Sequence, residues 1–332
     1  MFGSNKTIIV IYLSRKGCLT YTQAMLSQLQ DQQLALVVTK ENAALFQREY
    51  NTYTLLTARG KLEHLLRSLT VQKIIDNLVE QLIKTYGSIE LYFPAFHPWN
   101  LNFIKAAQKN YLVTSLTIHD YKTHSGEQSA LVESYQKKMI RLSDRVIFLT
   151  DYVRQQAIAE MGDDEKYEVI PHPLIQSTEK QNLEHSTTPS LLFLGRGVAY
   201  KGLDLLLSVI DVLPINKLTI AGKHNRPITT KHSKLNIIDR HLEEAEIGKL
   251  LATHHILVLP YLDASQSGVL TLGISANIPM VITKVGGLQE QLPPNAAMWV
   301  EPTRASLKAG LLQLINEPET YNRLKIALRA HT

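Results

Sequence analysis

One turn in the second half of the sequence joins a glycine to two cations directly after an apolar run. Gly195 ends the run LLFL, and Arg196 and Lys201 follow at the start of a predicted helix. A guanidinium can bind two phosphate oxygens at once, and an ammonium adds a compact point charge. Together they could hold a diphosphate and stabilise its negative charge as it departs. The alternative is an ordinary turn whose charges are only solvated.

A second turn, with the sequence DASQSGV, opens another predicted helix in the same half. Serine is a common N-cap, and glycine lets the backbone approach a ligand closely. The first N–H groups of this helix could therefore donate to phosphate oxygens, assisted by the helix dipole. The residues predicted to bind the ligand here are Asp263, Ser265, Gln266, Ser267, Gly268 and Val269. The alternative is that these small residues only cap a helix of the core.

Glu290 closes the segment VGGLQE, in which two glycines predict a tight turn after a strand. Its carboxylate either caps the following turn or lies near the ligand, and the capping role is favoured.

Two histidines and an aspartate follow a predicted strand in the first half. The segment TIHDYKTHSGE contains His119, Asp120 and His124. Imidazole and carboxylate groups can bind zinc, so one hypothesis is a metal site. The residues leave the strand in a loop of undefined shape, however, and no metal is predicted. A third interpretation is that the histidines are structural.

Two further turns of the first half carry weaker signals. The turn SRKGCLTY contains Gly17, which precedes a predicted helix. Anion binding at the N-terminus of this helix is therefore one hypothesis. Cys18 is interpreted as a small buried residue, because no partnered triad surrounds it. The turn FPAFHPWN contains His97, which either shapes an acceptor pocket or packs locally.

These turns are positioned by a regular alternation of apolar runs and amphipathic stretches, which predicts βαβ units and parallel sheets. Strands are predicted at residues 7–13, 34–39, 88–93, 112–118, 145–150, 166–170, 190–194, 217–221, 235–239, 256–259, 280–283 and 297–300. Helices are predicted at residues 20–30, 71–86, 101–110, 128–141, 151–161, 202–212, 243–253, 269–276 and 306–316.

The length of 332 residues suits two α/β domains, predicted at residues 1–173 and 174–332. The polar stretch 176–188 predicts a linker between them. Two Rossmann-like domains joined in this way would face each other across a deep cleft, formed by the carboxyl ends of both sheets.

Composition narrows the class of protein. Hydrophobic residues make up 45% and charged residues 20%, as in ordinary globular proteins. One cysteine excludes an internal disulfide framework and fits a reducing compartment. The apolar run at residues 7–13 is far shorter than the ~20 residues that span a bilayer, which favours a buried strand.

The net charge of +5 is compatible with phosphorylated ligands or anionic lipids. Nucleic acid is not predicted as a partner, because the basic residues are dispersed and no recognised motif accompanies them. A helical segment carries four cations that either face an anionic membrane surface or are simply solvated, and solvation is favoured. These cations are Lys137, Lys138, Arg141 and Arg145.

The ordered set of motifs resembles the family-4 glycosyltransferases of the GT-B fold. The set is GR-x4-KG, IAG at 220–222, LPY, SQSGV, a strand led by Pro279, and VGGLQE, and the close match covers roughly residues 189–290. The resemblance implies transfer of a hexose from a nucleotide diphosphate sugar to a hydroxyl of a glycan or lipid-linked acceptor. It also implies retention of anomeric configuration, no bound metal or other cofactor, and a cytoplasmic protein, in some cases peripheral on the inner face of the cell membrane.

The resemblance also assigns roles to the residues named above. Arg196 and Lys201 would hold the donor diphosphate, with backbone donors from Ser267 and Gly268. His119 would contact the transferred sugar, oriented by Asp120. The loop of Gly17 would lie beside the acceptor and the donor phosphates.

One departure from the family pattern supports a rival hypothesis. Many members have two glutamates where this sequence has Ala264 and Leu272. A non-catalytic GT-B subunit that binds a partner enzyme or glycan is therefore the main alternative. A sugar-nucleotide epimerase of the same fold would need acid–base carboxylates, of which no convincing set is present. The family usually continues into a crossover helix beyond the position of Thr332, so either that helix is missing or the chain is truncated.

Overall fold

The computed structural model describes residues 6–14, 18–56, 70–123, 129–225 and 227–331. These residues form two compact units, with Pro171 the last residue of the first and His172 opening the continuous part of the second. Each unit contains one parallel sheet with helices between its strands. This confirms the predicted α/β class.

The first unit is built on buried, nearly continuous apolar strands, as expected for a parallel sheet covered on both faces. Within the described residues its sheet has seven strands in the order β3-β2-β1-β4-β5-β6-β7. The strands are β1 Thr7–Tyr12, β2 Leu34–Thr39, β3 Asn51–Leu55, β4 Ile89–Phe93, β5 Val113–Ile118, β6 Arg145–Phe148 and β7 Tyr167–Val169. The helices are α1 Leu19–Gln28, α2 Ala43–Phe46, α3 Val71–Tyr86, α4 Asn100–Lys109, α5 Ala130–Leu142 and α6 Asp151–Met161.

The second unit repeats this plan with six strands among its described residues, in the order β10-β9-β8-β11-β12-β13. The strands are β8 Ser190–Leu194, β9 Lys217–Ala221, β10 Leu235–Ile238, β11 Ile256–Leu259, β12 Met280–Thr283 and β13 Met298–Val300. The helices are α7 Leu203–Leu207, α8 Glu244–Thr253, α9 Gly268–Ser275, α10 Arg304–Asn316 and α11 Pro318–Arg329.

Each sheet has one point at which the order of its strands reverses. In the first sheet it lies between β1 and β4, and in the second between β8 and β11. The connections that leave two such strands run to opposite faces of the sheet, which opens a crevice at the carboxyl ends. The turns after β8 and β11 are the two that the sequence selects as diphosphate-binding.

One strand and two helical regions differ from the prediction. The strand β3 was not predicted, because its residues are mostly exposed or half-buried and give no apolar run. The predicted helix 202–212 is split into α7 and a 3-10 turn, Ile210–Val212. Pro318 begins α11, so the C-terminal helical region is two helices. Among the described residues, no helix is both long and apolar enough to cross a membrane.

The polar stretch 176–188 is packed against the second unit, which its composition did not indicate. Gln181 is fully buried. Its backbone N–H donates to the Ala276 carbonyl at 2.7 Å, and its side-chain amide donates to the Tyr321 hydroxyl at 2.9 Å. The Leu183 carbonyl accepts from the Lys325 ammonium at 2.7 Å. This part of the predicted linker is therefore a strap fixed to α9 and α11.

We expect Gln181→Ala to destabilise the second unit by about 2–3 kcal/mol, because the variant removes a buried amide that donates to the His254 carbonyl and to the Tyr321 hydroxyl. Gln313→Ala is the control, since Gln313 is exposed and bonds only Glu317 across one helical turn. The control should change the unfolding free energy by no more than ~0.5 kcal/mol. Denaturant unfolding measures both, and equal effects would contradict the strap.

Candidate functional site

The turn after β8 lies directly against the end of β11 because of one glycine. Gly202 has φ 68° and ψ 27°, in the left-handed region that glycine tolerates. A Cβ atom at this position would lie 1.8 Å from the Pro260 carbonyl oxygen, so no side chain fits. The Leu262 N–H donates to the Tyr200 carbonyl at 2.7 Å and fastens the two turns together.

The side chains of Tyr200 and Tyr261 contact the two cations of the turn after β8. The Lys201 ammonium lies 3.7 Å from the ring centre of Tyr261 and 5.3 Å from that of Tyr200. The Arg196 guanidinium donates to the Tyr200 hydroxyl at 3.2 Å. No carboxylate of the described residues forms an ion pair with Lys201, so its positive charge is not neutralised within this part of the chain.

The N-terminus of α9 contacts Tyr261, whose hydroxyl lies 3.1 Å from the side-chain oxygen of Ser267, and it has two open N–H donors. The N-cap Ser267 accepts from the Leu270 N–H at 3.3 Å through its side chain. Its own backbone N–H donates to the Gln291 side chain at 2.7 Å. The next two N–H groups, of Gly268 and Val269, donate to no acceptor among residues that the structure describes. An anionic ligand would therefore meet Gly268 and Val269, whereas Ser267 acts as the cap.

The remaining predicted ligand-binding residues differ in their exposure to solvent. Asp263 is partly exposed, Glu290 is exposed, and Ser265 is buried. The side-chain oxygen of Gln266 is buried and accepts no hydrogen bond within the described residues. Gly195 has φ 141° at the end of β8, which places Arg196 beyond the strand.

Ala264 and Leu272, which replace the expected glutamates, belong to the apolar core. Ala264 is 1% exposed and its carbonyl accepts from the Gly287 N–H at 3.1 Å. Leu272 packs against the same apolar cluster. Neither position offers a polar group to a ligand.

His119 follows β5, one strand away from the point where the order of the first sheet reverses. Its Nε2–H donates to the Pro94 carbonyl at 2.8 Å, just after β4. Cys18, at the start of α1, acts on the charge of the imidazole. Burial opposes the charged imidazolium, but Cys18, the Pro94 carbonyl and Asp120 outweigh it and raise the pKa of His119 to about 9. The raised pKa favours the charged imidazolium.

Below His119 lies a cluster of three buried hydroxyl groups that sequence analysis missed. The Tyr21 ring packs edge-on against the imidazole, with ring centres 4.5 Å apart. The Tyr92 hydroxyl lies 3.0 Å from that of Tyr21 and 2.9 Å from that of Thr117. Burial raises the pKa of Tyr21 and of Tyr92, which keeps both hydroxyls neutral. Tyr92 and Thr117 alternate with core residues on their strands, so no motif marks them.

The other predicted residues of the first half have local partners or lie outside the described residues. His97 accepts from the Trp99 N–H at 3.2 Å and caps its own turn. The Asp120 carbonyl accepts from the Gln136 amide at 2.7 Å. Gly17 and His124 lie outside the described residues. Among the residues described, no three histidine, cysteine or acidic side chains are grouped to hold a metal.

This architecture is that of the GT-B fold, as solved structures show. Anabaena HepE in complex with UDP matches with a TM-score of 0.74 at 13% identity, over 98% of this chain and 94% of that chain. The catalytic domain of Arabidopsis thaliana starch synthase IV, bound to ADP and acarbose, matches at 0.72 and 10%, over 98% and 95%. The UDP-GlcNAc 2-epimerase of Neisseria meningitidis bound to UDP-GlcNAc matches at 0.59 and 12%, over 97% and 94%. These identities establish the fold alone.

A family comparison adds information about the second unit. The sequence model of the family described as Glycosyl transferases group 1 matches residues 175–331. No curated protein matches the sequence of the chain. The matched region contains both turns described above and the N-terminus of α9.

We expect His119 to titrate at about pH 9 in the folded protein, against 6.5 for an ordinary histidine. Because the folded pKa is raised, charged His119 stabilises the fold fully below pH 6.5, and this stabilisation is lost as the pH rises through 9. NMR titration of the ring measures the pKa. Replacing Cys18 by alanine should lower it, and a wild-type pKa at or below 6.5 would contradict the assigned environment.

Proposed function

We propose that the protein is a glycosyltransferase that moves a hexose from a nucleotide diphosphate sugar to a hydroxyl of a glycan or lipid-linked acceptor. The observation that carries the proposal is the cation Lys201, held on the ring of Tyr261, whose hydroxyl contacts the N-cap of the helix that bears the open N–H groups of Gly268 and Val269. Helix N-termini and unpaired cations are the groups that bind phosphates in proteins. The match of residues 175–331 to group 1 glycosyltransferases supports the same function.

The chemistry assigned to this site is stabilisation of a departing diphosphate. The bond between the anomeric carbon and the diphosphate oxygen breaks, and a bond to the acceptor oxygen forms on the same face, with retention. The leaving phosphate takes the acceptor proton, so no protein nucleophile is needed. Arg196, Lys201 and the N-terminus of α9 stabilise the charge that develops on the leaving group. We propose that these groups act without a metal or other cofactor.

In the first unit we propose His119 as the residue that contacts the transferred sugar. As a cation it would donate a hydrogen bond to a sugar hydroxyl or stabilise nearby negative charge. Asp120 raises its pKa and would help to orient it. Gly17 and His97 remain proposed contacts on the acceptor side.

The rival hypothesis is a non-catalytic subunit, and one observation favours it. Ala264 and Leu272 pack into the core, so two carboxylates typical of the family are replaced by apolar groups. The retained cations and open N–H donors favour binding of a nucleotide sugar in either case. The fold also occurs in an epimerase, so a product assay, rather than the fold, separates transfer from epimerisation.

Calorimetry with UDP, GDP, dTDP and ADP tests the site directly. We expect micromolar binding of one nucleotide, weakened at least roughly tenfold in Arg196→Ala and in Lys201→Ala, because each loses a charge-assisted contact to phosphate. Lys308→Ala is the control, since Lys308 is an exposed cation of α10 in the same unit.

Equal affinity in all four proteins, or no binding by the wild type, would contradict the proposed donor site. Nucleotide binding without glycosyl transfer from the matching sugar nucleotide, over a panel of hydroxyl acceptors, would favour the non-catalytic subunit. NMR of the anomeric proton in the product distinguishes retention from inversion.

We further propose that the protein is cytoplasmic and binds an anionic membrane surface through α5. Lys137 pairs with Glu160 and Arg145 pairs with Glu168, so two of the four predicted cations are neutralised. The other two share an exposed stripe at helical spacing with two apolar side chains. This stripe consists of Leu131, Tyr135, Lys138 and Arg141.

Vesicle co-sedimentation checks this surface. We expect binding to anionic vesicles but not to zwitterionic ones, and loss of binding in Leu131→Glu, because the variant puts a negative charge on the stripe. Leu45→Glu is the control, since Leu45 is also exposed, on α2 of the same unit. Equal sedimentation with both kinds of vesicle would contradict the proposal.

A further inference from the structure

We infer that Tyr261 is a positioning residue, which holds the Lys201 ammonium in place for the donor diphosphate. The inference rests on the proposed function and assigns a role to a residue that sequence motifs mark only as the end of a strand. Tyr261 is fully buried, although it directly precedes a turn with exposed residues.

Tyr261 contacts both of the elements that would bind phosphate. The face of its ring lies under the Lys201 ammonium at 3.7 Å. Its hydroxyl lies 3.1 Å from the side-chain oxygen of Ser267, the N-cap of α9. Its own backbone is fixed, because its carbonyl accepts from the Thr283 hydroxyl at 2.6 Å. One rigid side chain therefore sets the position of the cation relative to the open N–H groups of the helix.

An aromatic ring restrains a lysine differently from a carboxylate. A carboxylate would neutralise the ammonium and compete with the diphosphate for it. The negative face of a ring attracts the ammonium yet leaves its net charge available. A lysine side chain has many accessible rotamers. If it is already restrained in the free protein, less conformational entropy is lost when it binds the ligand.

The backbone geometry around Gly202 favours the contact between Lys201 and Tyr261. Gly202, the residue after Lys201, approaches the Pro260 carbonyl too closely for any side chain. This close approach brings the lysine over Tyr261, the residue after Pro260. Tyr200 contributes a second ring at 5.3 Å from the ammonium, and its hydroxyl accepts from Arg196.

The test is a fluorination series at position 261, with phenylalanine and then mono-, di- and trifluorophenylalanine incorporated there. Fluorine withdraws π-electron density and changes the shape of the ring little, so folding is preserved while the attraction for a cation falls. The readout is calorimetric affinity for the nucleoside diphosphate that the wild type binds. We expect affinity to fall steadily along the series, by about fivefold in total.

The same series in a Lys201→Met background is the matched control, and there the affinity should not change along the series. A flat series in the presence of Lys201, or the same decline without it, would overturn the role of Tyr261 while leaving the donor site standing. Failure of the wild type to bind any nucleoside diphosphate would overturn the proposed function itself, and the role of Tyr261 with it.

Discussion

The close contact between the turn after β8 and the end of β11 is the constraint on which the candidate donor site depends. Only a glycine at position 202 permits it, because the Pro260 carbonyl occupies the space of any Cβ atom. The contact places the ammonium group of Lys201 over the buried ring of Tyr261. It thereby holds a positive charge on the ring whose hydroxyl contacts Ser267, the N-cap of α9. The helix dipole and two N–H groups at that end of α9 already favour an anion.

Both units carry the side chains of interest directly after strands, but with different chemistry. In the second unit they follow β8 and β11, on either side of the point where the order of the sheet reverses, whereas in the first His119 follows β5, one strand away from that point. In the second unit they are cations and backbone donors, suited to phosphate. In the first, the imidazole of His119 packs against the ring of Tyr21, and an imidazole is suited to hydrogen bonding with a polar, uncharged ligand such as a sugar.

The sequence predicted most strands of both sheets, because buried parallel strands are continuous apolar runs. It also selected the two turns that we propose to bind phosphate, because their small residues and cations are close together in the chain. It did not predict Tyr261 as the partner of Lys201. The two residues are 60 positions apart in the chain, and only the folded structure shows that they are in contact. The capping of the Ser267 N–H by Gln291 was missed for the same reason. The strap around Gln181 was missed because many of its hydrogen bonds are made to backbone carbonyls, which every residue has, so the amino-acid composition does not indicate them.

A structure of the protein crystallised with its nucleoside diphosphate tests the central claim most directly. The account predicts that the diphosphate accepts hydrogen bonds from the N–H groups of Gly268 and Val269, with the Lys201 ammonium on its oxygens and still over the ring of Tyr261. A diphosphate bound elsewhere, for example at His119 in the first unit, would contradict it.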